Sequence, residues 1–405
     1  MSLGTALAFH VRHPVWISTA TGKAAWAFAA LFFLESIARA SVATVFPLHA
    51  YALFGNKETV SIVYTGVALA ALACSFLIPT MIRLFSRRWS YTLGAVSVAM
   101  CGVALAFDNK EGQVAAMFLR TFGAATLNVS LNLYIMDHIR KSDLVHTEPL
   151  RYAVSTLAWI VTPLAGVWLY QHFGIIAASM VPPLAALVLL CVFWYLRLSE
   201  KGPIRPGKIT PPNPVASIGR FFSQPRLRLA WLIAFGRSSF WVTFFIYVPI
   251  LMIEGNAGPL AGGIAIAAGN AMLFNNLLVA RWARRYSLRV MISLAFLAGA
   301  VLVSAAGLAG TRHAILAGTM MVLAAFFISM LDGLGPIPFL RAVRSYERPQ
   351  MTTVYRTYLD ASELIPPFLY VFAFMAFGFS GAFYVLATLF AVTGLTVLKF
   401  LPRQM

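Results

Sequence analysis

The sequence predicts an all-α polytopic membrane protein, with twelve transmembrane helices arranged as two pseudo-symmetric six-helix bundles. Three observations lead there. The chain is 60% hydrophobic and only 11% charged, whereas soluble domains are about a quarter charged. Apolar runs of about 20 residues, each able to cross ~30 Å of hydrocarbon, recur along nearly its whole length. The second half also repeats local features of the first in the same order. Hydrocarbon offers no partner to backbone N–H and C=O groups, so runs of this length must be helices.

The spans cover residues 24–53, 58–82, 89–107, 113–136, 151–171, 174–197, 228–253, 259–281, 287–309, 313–337, 355–378 and 381–401. A net charge of +18 would suit a nucleic-acid partner, but its distribution excludes one. Of 31 Lys and Arg residues, only Arg39, Arg120 and Arg237 lie deep within spans, and only Lys57, Lys110 and Arg312 in odd-numbered connections. The others gather at the N-terminus, the even-numbered connections with their helix ends, and the C-terminus. That asymmetry is the positive-inside rule, and it expects both termini in the cytoplasm.

Residues 1–22 lack the basic start, apolar core and small-residue cleavage site of a signal peptide, so the first span is expected to stay as an anchor. Within this segment, His10 and His13 have metal-pair spacing but no further ligands, and a solvated tail accounts for them. No metal or other cofactor is expected. Cys74, Cys101 and Cys191 all fall within apolar spans and read as small buried hydrophobes.

The longest break is rich in Pro, Gly and basic residues, which divides the chain into a half at 1–198, a cytoplasmic linker at 199–227 and a half at 228–405. Inside the linker, VASIGRFF (215–222) reads as an amphipathic helix. Ile218, Phe221 and Phe222 are expected to dip into the membrane interface, with Arg220 near the headgroups. A binding role for this helix is the alternative.

The halves echo one another. Phe85-Ser86-Arg87-Arg88-Trp89-Ser90 follows the second span, and Trp282-Ala283-Arg284-Arg285-Tyr286-Ser287 follows the eighth. Pro47 corresponds to Pro249, and Gly55-Asn56 to Gly255-Asn256. Two parallel six-helix repeats related by an axis along the membrane normal form a transporter architecture. Twelve spans, a basic central linker and duplicated Arg-Arg loops resemble the major facilitator superfamily over essentially the whole chain. That family's signature between spans 2 and 3 is G-x-x-x-D-R/K-x-G-R/K-R/K, and the corresponding stretch here is PTMIRLFSRR (79–88). Arg87 and Arg88 match its basic end, Pro79 and Ser86 replace its glycines, and Arg83 stands where its acid belongs. Arg120-Thr121-Phe122-Gly123 is similar to the family's Arg and Gly in span 4. Thr162-Pro163-Leu164-Ala165-Gly166-Val167 keeps the Pro and one Gly of the exporter motif in span 5. The resemblance implies an inner (cytoplasmic) membrane protein of bacterial type for which a monomer suffices.

Charges buried in a bilayer carry the functional reading, because each costs ~2.5–3.5 kcal/mol at the centre of a span. Glu35 and Arg39 lie four apart on one helix face, with the Glu N-terminal, which is the favourable order. They form either a self-neutralising structural pair or a coupling pair, with Glu35 carrying the proton and Arg39 meeting substrate. Spans 1, 4, 7 and 10 line the central cavity in the family, and Arg39, Arg120, Arg237 and Asp332 fall on them. Fixed guanidinium groups grip carboxylate or phosphate, so Arg39, Arg120 and Arg237 are expected at an anionic or zwitterionic substrate. The alternative pairs each with protein: Arg39 with Glu35, and Arg120 or Arg237 with a carbonyl or Asp332. Asn128, Ser238 and Trp241 are expected to complete the substrate site, beside Asn132, Ser239, Asn270, Asn275 and Asn276, or else to serve as interhelical glue. Asp332 is expected to assist Glu35 in proton coupling. Asp360 and Glu363 share a face near basic residues and, with Arg83, Arg87 and Arg88, are expected to form a cytoplasmic gate.

These readings converge on a secondary transporter moving a small anionic or zwitterionic solute, with protons as coupling ion. No GxxxxGK[ST] motif occurs to bind nucleotide. A proton-antiport exporter of amphiphiles is the runner-up, favoured by the aromatic content and the Pro163 motif. A channel or a membrane enzyme is the remote alternative; no metal-ligand set or nucleophile–base arrangement points to catalysis.

Overall fold

The computed structural model describes residues 23–75, 77–138, 144–196, 214–275, 279, 282, 285–344 and 347–402. Its first half contains α1 (Lys23–Ala40), α2 (Val45–Phe54), α3 (Lys57–Ser75), α4 (Ile78–Leu105), α5 (Lys110–His138), α6 (Leu144–Ser179) and α7 (Val181–Tyr195). A short α8 (Pro214–Ser223) precedes α9 (Pro225–Glu254), α10 (Pro259–Ala271), α11 (Leu288–Ala309) and α12 (Ala314–Leu334). The chain then continues through α13 (Ile337–Ala342), α14 (Arg348–Phe377) and α15 (Ser380–Phe400).

Nine helical segments among the described residues are long and apolar enough to span a membrane, and Val181–Tyr195 and Pro259–Asn275 are shorter apolar helices. The part of α4 beyond Ser86 takes the place of the third span. The expected spans are helical over most of their described residues, and span 1 is broken by a turn at residues 41–44. Pro225 and Pro259 open α9 and α10, at positions where a missing N–H leaves no bond unmade.

Helix contacts sort the chain into two bundles. In the first, α4 packs on α5 and α7, α1 on α6 and α7, and α3 on α5. In the second, α11 packs on α12 and α15, and α9 on α10, α12 and α14. Three contacts join the bundles: α3 with α14, α6 with α10, and α2 with α9. Along the first bundle, α6 crosses the break between α1 and α2 closely enough that a Cβ on Gly166 would stand 1.8 Å from the Ser41 carbonyl oxygen. Only a glycine permits that approach.

Two readings change. Helix α8 does not lie free in the interface. Phe221 is fully buried against the second bundle, with Leu227, Phe339 and Met351 in the same cluster. Arg220 forms an ion pair with Glu347, ahead of α14. Protein contacts thus take Phe221 and Arg220, while Ile218 and Phe222 remain exposed. Of the cysteines, Cys101 is buried and Cys74 half-buried, but Cys191 is exposed on the outside of α7; a span gives an apolar residue two possible surroundings, core or lipid. His10 to His13, Asn276 and most of the linker lie outside the described residues.

The turn between spans 2 and 3 is made inside α4 by Ser86, with φ 65° and ψ 163°. Glycine adopts such positive φ freely, whereas a side chain there costs about 1–3 kcal/mol. Ser86 occupies the place of a glycine in the family signature. We therefore expect Ser86→Gly to stabilise the protein by about 1 kcal/mol, read as a higher melting temperature in detergent. An unchanged or lower value would show that Ser86 is held there by a compensating interaction.

Candidate functional site

The site begins with a helix that stops. Span 1 breaks after α1, and its last carbonyls need partners from elsewhere. Ile37 O accepts from Ser41 N at 3.1 Å, and Ala40 O from Ala43 N at 3.0 Å. Ala38 O accepts from the Ser41 hydroxyl at 3.3 Å. The Arg39 carbonyl accepts from Arg120 Nε at 3.2 Å. Arg120 is thereby fixed by backbone chemistry, with its guanidinium 5.7 Å from the Phe46 ring centroid.

Arg120 borders a cavity of about 300 Å³ between the bundles, within the size range of small-molecule sites. Phe46, Tyr64 and Trp159 line it from the first bundle, and Trp241, Phe245 and Glu363 from the second. Ser238 also borders it, its hydroxyl accepting from Ser362 Oγ at 2.7 Å. Glu363 is solvent-accessible here and makes no ion pair among the described residues. The cations acting on its charge are Arg120 and Arg39. The cavity therefore holds a cation from one bundle and an anion from the other.

The remaining expected site residues form two polar groups beside the cavity. In the first bundle Glu35 is fully buried and accepts from Arg39 Nη1 at 2.6 Å. Glu35 Oε2 and the Tyr91 hydroxyl are buried without hydrogen-bond partners among the described residues. Arg151 also acts on the Glu35 charge. Its guanidinium stacks 4.5 Å from the Phe32 ring centroid and donates to Asn132 Oδ1 at 3.0 Å. Asn132 Nδ2 donates in turn to Asn128 Oδ1 at 2.7 Å, so Asn128 belongs to this group. In the second bundle Arg237 Nη1 donates to Asp332 Oδ1 at 2.5 Å and Nη2 to the Tyr358 hydroxyl at 3.1 Å. Trp241 Nε1 donates to the other Asp332 oxygen at 3.3 Å, which orients the indole that lines the cavity.

Of the gate set, Arg88 stacks over Trp194 at 5.3 Å and Arg87 lies half-buried after the Ser86 turn. The Arg83 side chain is outside the described residues. Asp360 is half-buried, and the cation acting on it is Arg356 of its own helix. Glu363, one turn further on, faces the cavity instead.

Three groups escape a sequence reading. Arg151 reads as the basic end of span 5 yet is buried beside Glu35. His49 is buried in span 1 and bridges Gln113 Oε1 and Asp108 Oδ1, both at 2.8 Å. Lys57 Nζ meets Glu254 Oε1 at 3.2 Å across the two bundles, and Tyr51 donates to the same oxygen at 3.1 Å. The Ser61 and Tyr247 hydroxyls join the bundles one turn deeper, 2.8 Å apart. The signal for the Lys57–Glu254 pair was present: Lys57 follows the first Gly-Asn turn and Glu254 precedes the second.

The family model for the Major Facilitator Superfamily matches residues 28–359. The chain belongs to the major facilitator superfamily. As a member it is an integral membrane protein and a secondary transporter. Solved structures similar in fold include the nucleoside transporter NupG in a mutant form, at 11% identity and TM-score 0.75, covering 93% of this chain and 100% of that one. A mutant peptide transporter, POT, in complex with sulfate has 14% identity and TM-score 0.76, with 94% of each chain covered. A POT family transporter in complex with 5-aminolevulinic acid has 13% identity and TM-score 0.72, covering 92% of this chain and 95% of that one. No curated protein sequence matches the chain.

The Arg237–Asp332 pair makes a stability prediction for this superfamily member. Both side chains are largely buried, at 16% and 23% exposure. Asp332→Ala leaves a guanidinium without its counter-ion, and we expect a loss of about 2–4 kcal/mol. The double variant Arg237→Met with Asp332→Leu should lose less than the single one. Thermal unfolding in detergent checks this, and equal losses would mean that the pair contributes nothing as a pair.

Proposed function

We propose that this transporter carries a small zwitterionic solute by alternating access, coupled to protons. The observation that carries the reading is the pairing of Arg120 and Glu363 on opposite walls of one cavity. A solute with a carboxylate and an ammonium bridges them and so ties the bundles together, which an anion or a cation alone does not. Guanidinium favours a planar carboxylate through paired N–H bonds, and the aromatic walls accommodate an apolar middle.

In this reading residues 1–198 and 228–405 are the rocking units and 199–227 the linker. The basic connections support cytoplasmic termini in a bacterial inner membrane. Lys57, Glu254, Ser61 and Tyr247 then close the outer mouth, and the cavity is that of a cytoplasm-facing state. One chain encloses the cavity, so a monomer suffices.

Proton coupling follows from how Arg120 is held. Its Nε bonds the carbonyl of Arg39, whose side chain neutralises Glu35. A carboxylate gripping Arg120 pulls on that carbonyl, loosens Arg39 from Glu35 and frees Glu35 to take a proton. Glu35 is then the coupling acid, and Arg39 relays rather than binds. The aromatic walls favour a second reading, export of amphiphilic cations, with Glu363 as their counter-charge.

A thermal-shift screen of the purified protein against anionic, zwitterionic and cationic metabolites tests the substrate class, since a ligand stabilises the folded state it binds. We expect zwitterions to raise the melting temperature, and both Arg120→Ala and Glu363→Gln to lose that shift. Stabilisation by lipophilic cations alone would replace this reading with the exporter.

The coupling role has its own measurement in proteoliposomes. Glu35→Gln should abolish accumulation driven by a pH gradient while leaving solute exchange at equal pH. Gradient-driven accumulation that survives the substitution would reduce Glu35 and Arg39 to a structural pair.

A further inference from the structure

The cavity has acceptors that are not side chains. A proline lacks the N–H that a helix directs at the carbonyl four residues earlier. Pro47, Pro163, Pro249 and Pro367 therefore leave the carbonyls of Ala43, Trp159, Phe245 and Glu363 without that bond. All four of those residues line the cavity. In a helix the side chain leans toward the N-terminus and the carbonyl points toward the C-terminus, so a carbonyl freed by proline is met by a donor approaching from the next turn. In span 1 the helical bonding reaches Phe46 N to Val42 O, at 2.9 Å, and lapses at the next position, where Pro47 stands.

One of the four carbonyls reveals what the others can do. Asn270 of the second bundle donates its Nδ2 hydrogen to the Trp159 carbonyl of the first, at 3.0 Å. A freed carbonyl in this cavity thus takes a donor from outside its own helix. The carbonyls of Ala43, Phe245 and Glu363 lack the same N–H, and their residues line the cavity that the Glu363 carboxylate borders.

We propose that these three carbonyls and the Glu363 carboxylate read the hydrogens of an ammonium group, so that the carried zwitterion is a primary or secondary amine and a quaternary one is rejected. The inference rests on the zwitterion reading above. A primary ammonium offers three N–H donors in different directions, enough to satisfy a carboxylate and two carbonyls together. A trimethylammonium has the same charge and none of those donors. Its binding leaves the carbonyls desolvated and unpaired, which is the costly side of hydrogen bonding. The aromatic walls work the other way, because cation–π attraction needs only charge and favours quaternary ammonium.

The probes are the ω-amino acids from glycine to 5-aminovalerate, each matched with its trimethylammonium betaine, titrated against the full-length protein in detergent. We expect at least one amine to bind and its betaine to bind about 10- to 100-fold more weakly, the range for a polar site left unpaired. Betaines that bind as tightly as the amines, or more so, overturn this inference and leave the zwitterion reading in place. If neither series binds, the zwitterion reading falls and this inference with it. A second measurement isolates the backbone. Pro249→Ala gives the Phe245 carbonyl an intrahelical N–H, and should lower amine affinity severalfold while leaving betaine affinity unchanged. Equal losses for both would assign the effect to the helix bend rather than to the carbonyl.

Discussion

Hydrocarbon gives a peptide group nothing to bond with, and the structure is arranged around that constraint. Twelve spans satisfy it by being helical, and where a helix breaks, a side chain from another helix supplies the donor. Arg120 bonds the Arg39 carbonyl, Asn270 the Trp159 carbonyl and Arg289 the Leu398 carbonyl. Gln113 and Asn275 add donors to the Phe46 and Phe326 carbonyls inside their helices. Many of the polar residues in the spans are therefore not spare functional groups. They complete a backbone that proline, a turn or a helix end has opened, and they fix helices against one another in doing so.

The same constraint separates the charges into two kinds. Glu35 with Arg39 and Arg237 with Asp332 are close pairs, 2.6 and 2.5 Å apart, with little exposure. Each pair neutralises itself, and removing either member exposes the full cost of burying the other. Arg120 and Glu363 differ. They stand on opposite bundles, make no direct ion pair and share a water-accessible cavity. A charge kept in water at the centre of a membrane protein is tolerated because it is hydrated, and it is available to a ligand for the same reason.

Much of this was legible in the sequence. Span positions follow from hydropathy, and the Glu35–Arg39 contact follows from their spacing on a single helix. The Pro47–Pro249 correspondence proved more informative than duplication alone suggests, since each proline frees the carbonyl of a cavity-lining residue. What was not legible depends on two helices meeting. Arg151 lies at the basic end of its span, and only the packing of α6 on α1 brings it to Glu35. Lys57 and Glu254 are 197 residues apart in sequence. Phe221 has an amphipathic pattern that serves equally for lipid or for protein, and the pattern does not say which covers it. Periodicity assigns a residue to a face, but the partner of that face is a property of the whole fold.

Alternating access requires the contacts between bundles to be weak enough to break and specific enough to re-form. Polar contacts at one end of the seam supply the specificity. Lys57 and Glu254 are 18% and 15% exposed and are joined at 3.2 Å, about as buried as Arg237 with Asp332, so separating them requires each charge to find water or another partner. The Ser61–Tyr247 bond adds a net amount of about 1 kcal/mol. Within the second bundle Arg237 of α9 and Asp332 of α12 tie two helices together, whereas Glu35 and Arg39 both lie on α1; the seam adds the packing of α3 on α14 and of α6 on α10. A ligand bridging Arg120 and Glu363 would add its bonds at that seam, at mid-membrane, where they bias the balance between the two ends without stiffening either bundle.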